Sequence, residues 1–182
     1  MSEKILGISV LEVATTTPTQ ELGAVVEDPR GGQGTITKTY YPNGITTLTT
    51  ETVVYSPGAK FKYCLANGTI TAGDGVQVDV TGTAGQRHAT VIRTSAVDQS
   101  VEGVAMVSAT SGQYLWVQIA GYYKNANVAT AAAAGDVLGG SATAGRLATA
   151  TPSAANAYAT ACGRGIRAMS AGSSNTADVM IY

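Results

Sequence analysis

The stretch AGDGVQVDVTGTAG at residues 72–85 returns, two residues shorter, as AGDVLGGSATAG at residues 134–145. Its Ala-Gly-Asp recurs 62 positions later, and its Thr-Ala-Gly recurs 60 positions later. Four further matches return to an offset of 62: Gly103-Val104 with Gly165-Ile166, Ser108-Ala109 with Ser170-Ala171, Val117 with Val179, and Ile119 with Ile181. Coincidence in a sequence rich in Ala, Gly and Thr is the alternative, but the matched apolar positions argue against it. The pattern predicts two related units, at about 72–121 and 134–182.

Each unit carries the alternation that is typical of β-strands. Leu115, Val117 and Ile119 alternate with Trp116 and Gln118, and Ala177, Val179 and Ile181 alternate with Asp178 and Met180. Such a period of two indicates strands with one buried face, and the Gly-rich segments between them are typical of turns. Two copies are too few for a solenoid. We therefore predict an all-β fold, a small antiparallel barrel or sandwich, for residues 58–182.

Residues 1–57 differ from the rest of the chain. They are rich in Thr and low in apolar residues, and short strand-like segments flank a loop at residues 28–34 and a turn at residues 42–44. We predict an extended N-terminal arm with strands, a kind of segment that becomes ordered by lying on a partner or on its own domain.

Charge is sparse: 13% of the residues are charged, about half the usual share, and the net charge is −1. Such a chain has no field to gather nucleic acid or an anionic membrane, so we expect neither as a partner. No apolar run reaches the roughly 18 residues of a membrane helix, and the N-terminus lacks a signal-peptide core. We expect a protein made in a cytoplasm, with Cys64 and Cys162 as buried, reduced thiols.

Catalytic signatures are missing from the sequence. His88 is the single histidine and has no acid–base partner nearby in sequence, and neither a nucleophile elbow nor a phosphate loop occurs. The Ala-Gly-Asp turns offer Asp74 and Asp136 as calcium ligands, but Asp in a turn usually bonds its own backbone. We predict no enzyme activity, no catalytic residues, no cofactor and no metal.

Aromatic residues are the remaining candidates for a functional surface. Six of them fall on or beside predicted strands, often at positions that should face solvent: Tyr40, Tyr41, Tyr114, Trp116, Tyr122 and Tyr123. Amphipathic rings in such places are common in protein interfaces, although ordinary sheet packing is the alternative. Because Tyr114 and Trp116 of the first unit correspond to Thr176 and Asp178 of the second, we expect the first unit to hold more of the interface.

The sequence resembles the head decoration, or cement, proteins of tailed bacteriophages. The resemblance rests on ELGAVVEDP at residues 21–29, on AGDVLGGSATAGRL at residues 134–147, on the Gly-apolar segment 163–166, and on the Ala-, Gly- and Thr-rich composition. It implies a non-catalytic β-rich virion protein, often a homotrimer, that binds the major capsid protein on the capsid exterior. A protein of this kind is made in the host cytoplasm and stabilises the shell.

Two other functions fit the composition. A tail, baseplate or fibre component would share it, although the long regular repeats of fibres are missing. A carbohydrate-binding β-module is suggested by Trp116 and the tyrosines, although a single Trp is a weak sugar platform.

Overall fold

The computed structural model describes residues 14–28, 32–40, 47–97, 100–129, 132–150, 165–169 and 175–182, with the backbone alone at 32–40 and 47–55. These residues form an all-β protein, which confirms the predicted class. Their strands are β1 (Val25–Asp28), β2 (Gly32–Tyr40), β3 (Thr47–Tyr55), β4 (Ala59–Ala66), β5 (Gly75–Val78), β6 (Thr90–Arg93), β7 (Gly103–Ala105), β8 (Tyr114–Asn127), β9 (Val137–Gly140), β10 (Leu147–Thr149), β11 (Ile166–Ala168) and β12 (Thr176–Ile181). One short 3-10 turn spans Arg87–Ala89. Within these described ranges, no helix is long and apolar enough to cross a membrane.

Five strands close a ring that we call barrel one. Its order is β4, β6, β5, β7, β8 and back to β4. The pairing of β4 with β6 is parallel, with Leu65 opposite Thr90, and the other four pairings are antiparallel. Because the last pairing returns to the first strand, the structure is a barrel rather than an open sandwich.

A second ring, barrel two, uses the other half of β8. Residues 121–127 of β8 pair with β12, which continues through β11 and β9 to β10. A parallel bridge between Val128 and Leu147 closes this ring. The amide of Ala129 extends the closure by donating to the carbonyl of Leu147 at 2.8 Å.

The two barrels share strand β8, which passes from one to the other at Gly121. Gly121 at the crossing has φ +96°, and a Cβ there would lie 3.0 Å from the Cα of Ala59. The buried Gln118 amide nitrogen donates to the carbonyls of Ala120 and Tyr122 on either side of this glycine, at 3.0 Å each. Only glycine suits this position, since the φ disfavours L side chains and no space is open.

Each barrel has equivalent hydrogen bonds at matched positions of its own strands. The bond from the Ala66 amide to the Gln113 carbonyl, 2.8 Å, has its counterpart from Val128 to Asn175, 2.9 Å. Likewise Gly73 donates to Ala105 at 2.8 Å, and Gly135 donates to Ala168 at 2.7 Å. The matched strands begin at residues 59 and 121, before the predicted 72 and 134. These pairs support the predicted repeat, which itself remains a prediction.

The pairing also corrects one detail of the sequence alignment. Gly103 lies opposite Val76 in barrel one, and Ile166 lies opposite Leu138 in barrel two. Gly103 therefore corresponds to Ile166, and its predicted match with Gly165 is wrong by one position. One extra residue before β11 changes the offset locally, and the offset returns to 62 at Val117 and Val179.

Strand β12 confirms the predicted alternation, because Ala177, Val179 and Ile181 are buried and the residues between them are half-buried. For β8 the expectation of one solvent-facing side is wrong: Trp116 and Gln118 are as buried as their apolar neighbours.

The N-terminal segment explains the second buried face of β8. Thr15 forms a bridge with Tyr114, the Gly23 amide donates to the Tyr63 carbonyl at 2.8 Å, and β1 pairs with β4. Residues 14–28 of the predicted arm therefore lie on the chain's own barrel, and they pair across the predicted boundary at residue 57. Residues 1–13 lie outside the described part.

The rest of the N-terminal region forms a β-ribbon. Strands β2 and β3 pair along their whole length, from Gly32 opposite Tyr55 to Tyr40 opposite Thr47. The described pairing of this ribbon with the barrels is a single position, Tyr55 opposite Tyr123.

Candidate functional site

Two of the predicted interface residues, Tyr114 and Trp116, do not form an exposed patch. Tyr114 is half-buried and stacks on Tyr63 with ring centroids 5.7 Å apart and planes 11° apart. Trp116 is 3% exposed and lies against the same tyrosine at 5.0 Å and 54°. The Tyr63 hydroxyl accepts the Thr19 amide at 3.1 Å, which ties the N-terminal segment over these rings. The expectation that Trp116 faces solvent is wrong, because residues of the supposed arm cover it.

Tyr122 and Tyr123 belong to barrel two. Tyr123 is fully buried, so the expectation of exposure is wrong for it as well. The half-buried Tyr122 donates its hydroxyl to Asp178 at 2.7 Å, and burial together with this bond raises the pKa of Tyr122 to about 12. Asp178 also accepts the amide of Asn125 at 3.2 Å, and so holds the irregular register of β12.

The other two predicted interface residues lie in or beside the ribbon. The structure describes only the backbone of Tyr40, as the last residue of β2, and Tyr41 lies outside the described residues. A role of the six aromatic residues in binding a partner stays a prediction.

Asp74 takes part in a contact between the two barrels. It lies in a segment that we call the Asp74 turn (residues 71–74). Its side chain is 4% exposed; Oδ2 accepts the Thr71 amide at 2.8 Å, and Oδ1 accepts the Asn127 side-chain amide at 2.7 Å. The predicted preference of Asp74 for its own turn is thus observed, and its other oxygen binds across the junction. Sequence reasoning missed this second role, because nothing in Ala-Gly-Asp specifies a distant partner.

The surface that receives the Asp74 turn is the Gly145 turn (residues 143–146). The Gly75 amide donates to the Gly145 carbonyl at 2.7 Å, and the Gly145 amide donates to the Thr94 carbonyl at 2.8 Å. Gly145 has φ +77°, and a Cβ on it would lie 2.4 Å from the Asp74 carboxyl carbon. The close approach therefore requires glycine at this position.

The corresponding loop of barrel two, the Asp136 turn (residues 133–136), is exposed at Ala133, Ala134 and Gly135. Asp136 accepts the Ala133 amide at 2.9 Å, as Asp74 accepts that of Thr71, and it accepts the Thr149 hydroxyl at 2.9 Å. This turn has the internal bonds of the Asp74 turn but does not lie in the junction.

An open cavity of about 290 Å³ lies beside barrel one. Its lining includes Leu65, Asn67, Gln86 and Thr90. At its edge the buried Asp79 accepts hydrogen bonds from Asn67 and from the amide and hydroxyl of Thr81, which lower the pKa of Asp79. Most of the residues that line the cavity carry polar side chains.

The remaining reactive groups are held in structural contacts. His88 is exposed, with Nε2 3.3 Å from the Leu22 carbonyl. Cys64 is a buried free thiol, as predicted, and burial raises its pKa to about 12; Cys162 lies outside the described residues. Among the residues that the structure describes, no three His, Cys, Asp or Glu side chains form a group that could hold a metal ion.

Comparison with known proteins finds no match to this chain among family models, curated proteins or solved structures. The resemblance to phage decoration proteins therefore rests on the sequence pattern alone.

Proposed function

We propose that this protein is a structural virion protein that binds the outside of a phage capsid and bridges neighbouring major capsid subunits. The observation that carries the proposal is the β2–β3 ribbon, nine residue pairs long and paired with the barrels at one position. A two-stranded ribbon without further strand neighbours is at best marginally stable in water, and the described strand pairing of this one with the barrels is at Tyr55 alone, so contact with a partner along the rest of it would stabilise it. Low charge and an all-β fold are in keeping with a protein that works in an assembly.

In this proposal the barrels form a rigid body and the ribbon lies on the shell, where a strand can add to an exposed sheet edge. Each contact is weak by itself. A decoration protein that joins several shell subunits gains affinity through effective concentration, and this multivalency would stabilise the capsid. The capsid exterior, the host cytoplasm as the place of synthesis and the homotrimeric state belong to the same proposal.

The experiment shortens the ribbon and leaves the barrels intact. Removing Ile36–Glu51 and joining Thr35 to Thr52 through Asn-Gly suits a two-residue hairpin turn, because Thr35 lies directly opposite Thr52. Deleting residues 1–34 would be a poor test, since it also removes β1 from β4. We expect the shortened protein to keep its thermal unfolding transition and to lose co-sedimentation with expanded capsids of its own phage.

Unchanged co-sedimentation of a folded, shortened protein would remove the role of the ribbon. Immunogold labelling of intact virions then distinguishes the capsid from the tail, baseplate or fibre alternative, because label on the tail would contradict the capsid proposal. The carbohydrate-binding alternative is weakened by the burial of Trp116, which leaves its ring no face for a sugar.

A further inference from the structure

The contact between the barrels offers a template for a contact between molecules. Within one chain, the Asp74 turn of barrel one lies on the Gly145 turn of barrel two, where Asp74 binds Asn127 and approaches the Gly145 backbone. Each half of this contact has a counterpart on the opposite barrel. The counterpart of the Asp74 turn is the Asp136 turn, and the counterpart of the Gly145 turn is residues 83–86, the Gly85 turn.

The counterparts share their internal geometry. The Asp74 and Asp136 amides donate back to Thr71 and Ala133 at 3.0 and 3.1 Å. The Gly85 and Gly145 turns each close with a 3.0 Å bond, from Gln86 to Thr83 and from Arg146 to Thr143. Gly85 has φ +88° and Gly145 has φ +77°, so both turns keep the same left-handed glycine.

The two pairs of turns differ in whether another part of the chain packs against them. A Cβ on Gly145 would meet the Asp74 carboxylate, whereas a Cβ on Gly85 or on Gly135 would have nothing within 4 Å. The single chain therefore buries one turn of each kind in its own junction and leaves the other of each kind open. The two open turns belong to different barrels.

The open cavity lies at the position where, by analogy with the contact between the barrels, a turn from a second molecule would pack. Leu65, in the cavity wall, is opposite Tyr114 at the start of β8, as Asn127 is opposite Thr176 at the start of β12. Leu65 thus corresponds to Asn127, the residue that binds Asp74. Gln86 lies in the wall, and the next residue, Arg87, is exposed outside the lining and donates from Nε to the carbonyl of the wall residue Gly82 at 2.8 Å. An arginine at this position can form charge-assisted hydrogen bonds with a carboxylate of a second molecule.

We propose that the Asp136 turn of one copy of this chain enters the cavity beside the Gly85 turn of a second copy. Because the two surfaces differ, the contact is head-to-tail: it builds a closed ring if the rotation closes and an open chain otherwise. Leu65 has no side-chain donor to match that of Asn127, so in this contact Arg87 and Gln86 bind the Asp136 carboxylate instead. This self-association does not depend on the proposed capsid function.

Cross-linking of mixed proteins that each carry one exposed cysteine tests the contact, in a Cys162→Ser background that keeps the buried Cys64. The variants are Ala134→Cys in the open Asp136 turn, Ala84→Cys in the open Gly85 turn, and Ala144→Cys as the matched control in the occupied Gly145 turn; all three positions are exposed. With a short bis-maleimide, we expect heterodimers from Ala134→Cys mixed with Ala84→Cys. We expect none from Ala134→Cys mixed with Ala144→Cys.

Equal yields in the two mixtures, or none in either, would overturn the proposal. Homodimers of Ala134→Cys alone would indicate a symmetric contact and would overturn it too. Sedimentation velocity gives a second readout: Ala134→Trp should abolish self-association, and Ala144→Trp should leave it unchanged. Capsid co-sedimentation of a monomeric Ala134→Trp protein separates the two proposals, because loss of self-association with retained capsid binding leaves the function standing.

Discussion

The junction between the barrels makes a quantitative prediction about two glycines in the same backbone conformation. Gly145→Ala and Gly85→Ala both place a Cβ at a left-handed φ, which costs roughly 1–2 kcal/mol in each case. Only at Gly145 does the new atom overlap the Asp74 carboxylate, while Gly85 has open space. The conformational cost cancels between the variants, so their difference isolates the contact.

The size of that difference follows from the hydrogen bond that Asp74 loses in Gly145→Ala. A Cβ at 2.4 Å forces the carboxylate away, and this breaks its 2.7 Å bond to Asn127. A hydrogen bond to a charged group is worth about 1.5–3 kcal/mol. We therefore expect Gly85→Ala to lower the free energy of unfolding by about 1–2 kcal/mol and Gly145→Ala by about 3–5 kcal/mol.

Urea unfolding followed by circular dichroism measures both values, at protein concentrations low enough to keep the chain monomeric. For a chain of this length, the difference corresponds to a gap in Tm of about 4–12 °C. If the two variants agree to within about 0.5 kcal/mol with equal m-values, the Asp74 carboxylate does not hold the junction and the reasoning is refuted.

Three further predictions concern buried or half-buried side chains. Trp116→Ala should lower the free energy of unfolding by about 3–5 kcal/mol, far more than Met180→Ala at a half-buried position, and equal losses in urea titrations would contradict the described packing. The pKa of Tyr122 is raised to about 12, so its stabilising effect is complete below pH 10 and is lost as the pH rises through 12. Absorbance titration should show a tyrosine that ionises only at high pH, and this signal should disappear in Tyr122→Phe. If the signal persists in the variant, it belongs to another tyrosine and the prediction is wrong. In a Cys162→Ser protein, Cys64 should react with a thiol reagent only on unfolding, and rapid reaction in buffer would contradict its burial.

The period-two alternation of apolar residues predicted much of the fold. The alternation in β12 specified its buried face, because one side of that strand meets the core and the other stays half-buried. The same alternation misled at Trp116 on β8, since residues 14–24 lie over the second face and no local pattern records a distant segment. The site was harder to predict. Asp74 and Asp136 look alike in sequence, and only the packing of the barrels distinguishes the turn that is buried from the turn that is open.

Strand β8 also sets the stiffness of the molecule. Its 14 residues run through both barrels without a connecting loop. A hinge needs a few residues that are free to change their backbone angles, and the one glycine at the crossing is packed against Ala59 and Ser56. The barrels therefore cannot pivot about a linker. In the proposed head-to-tail contact, the fixed arrangement of the two barrels within each chain would then limit the angles available between successive copies.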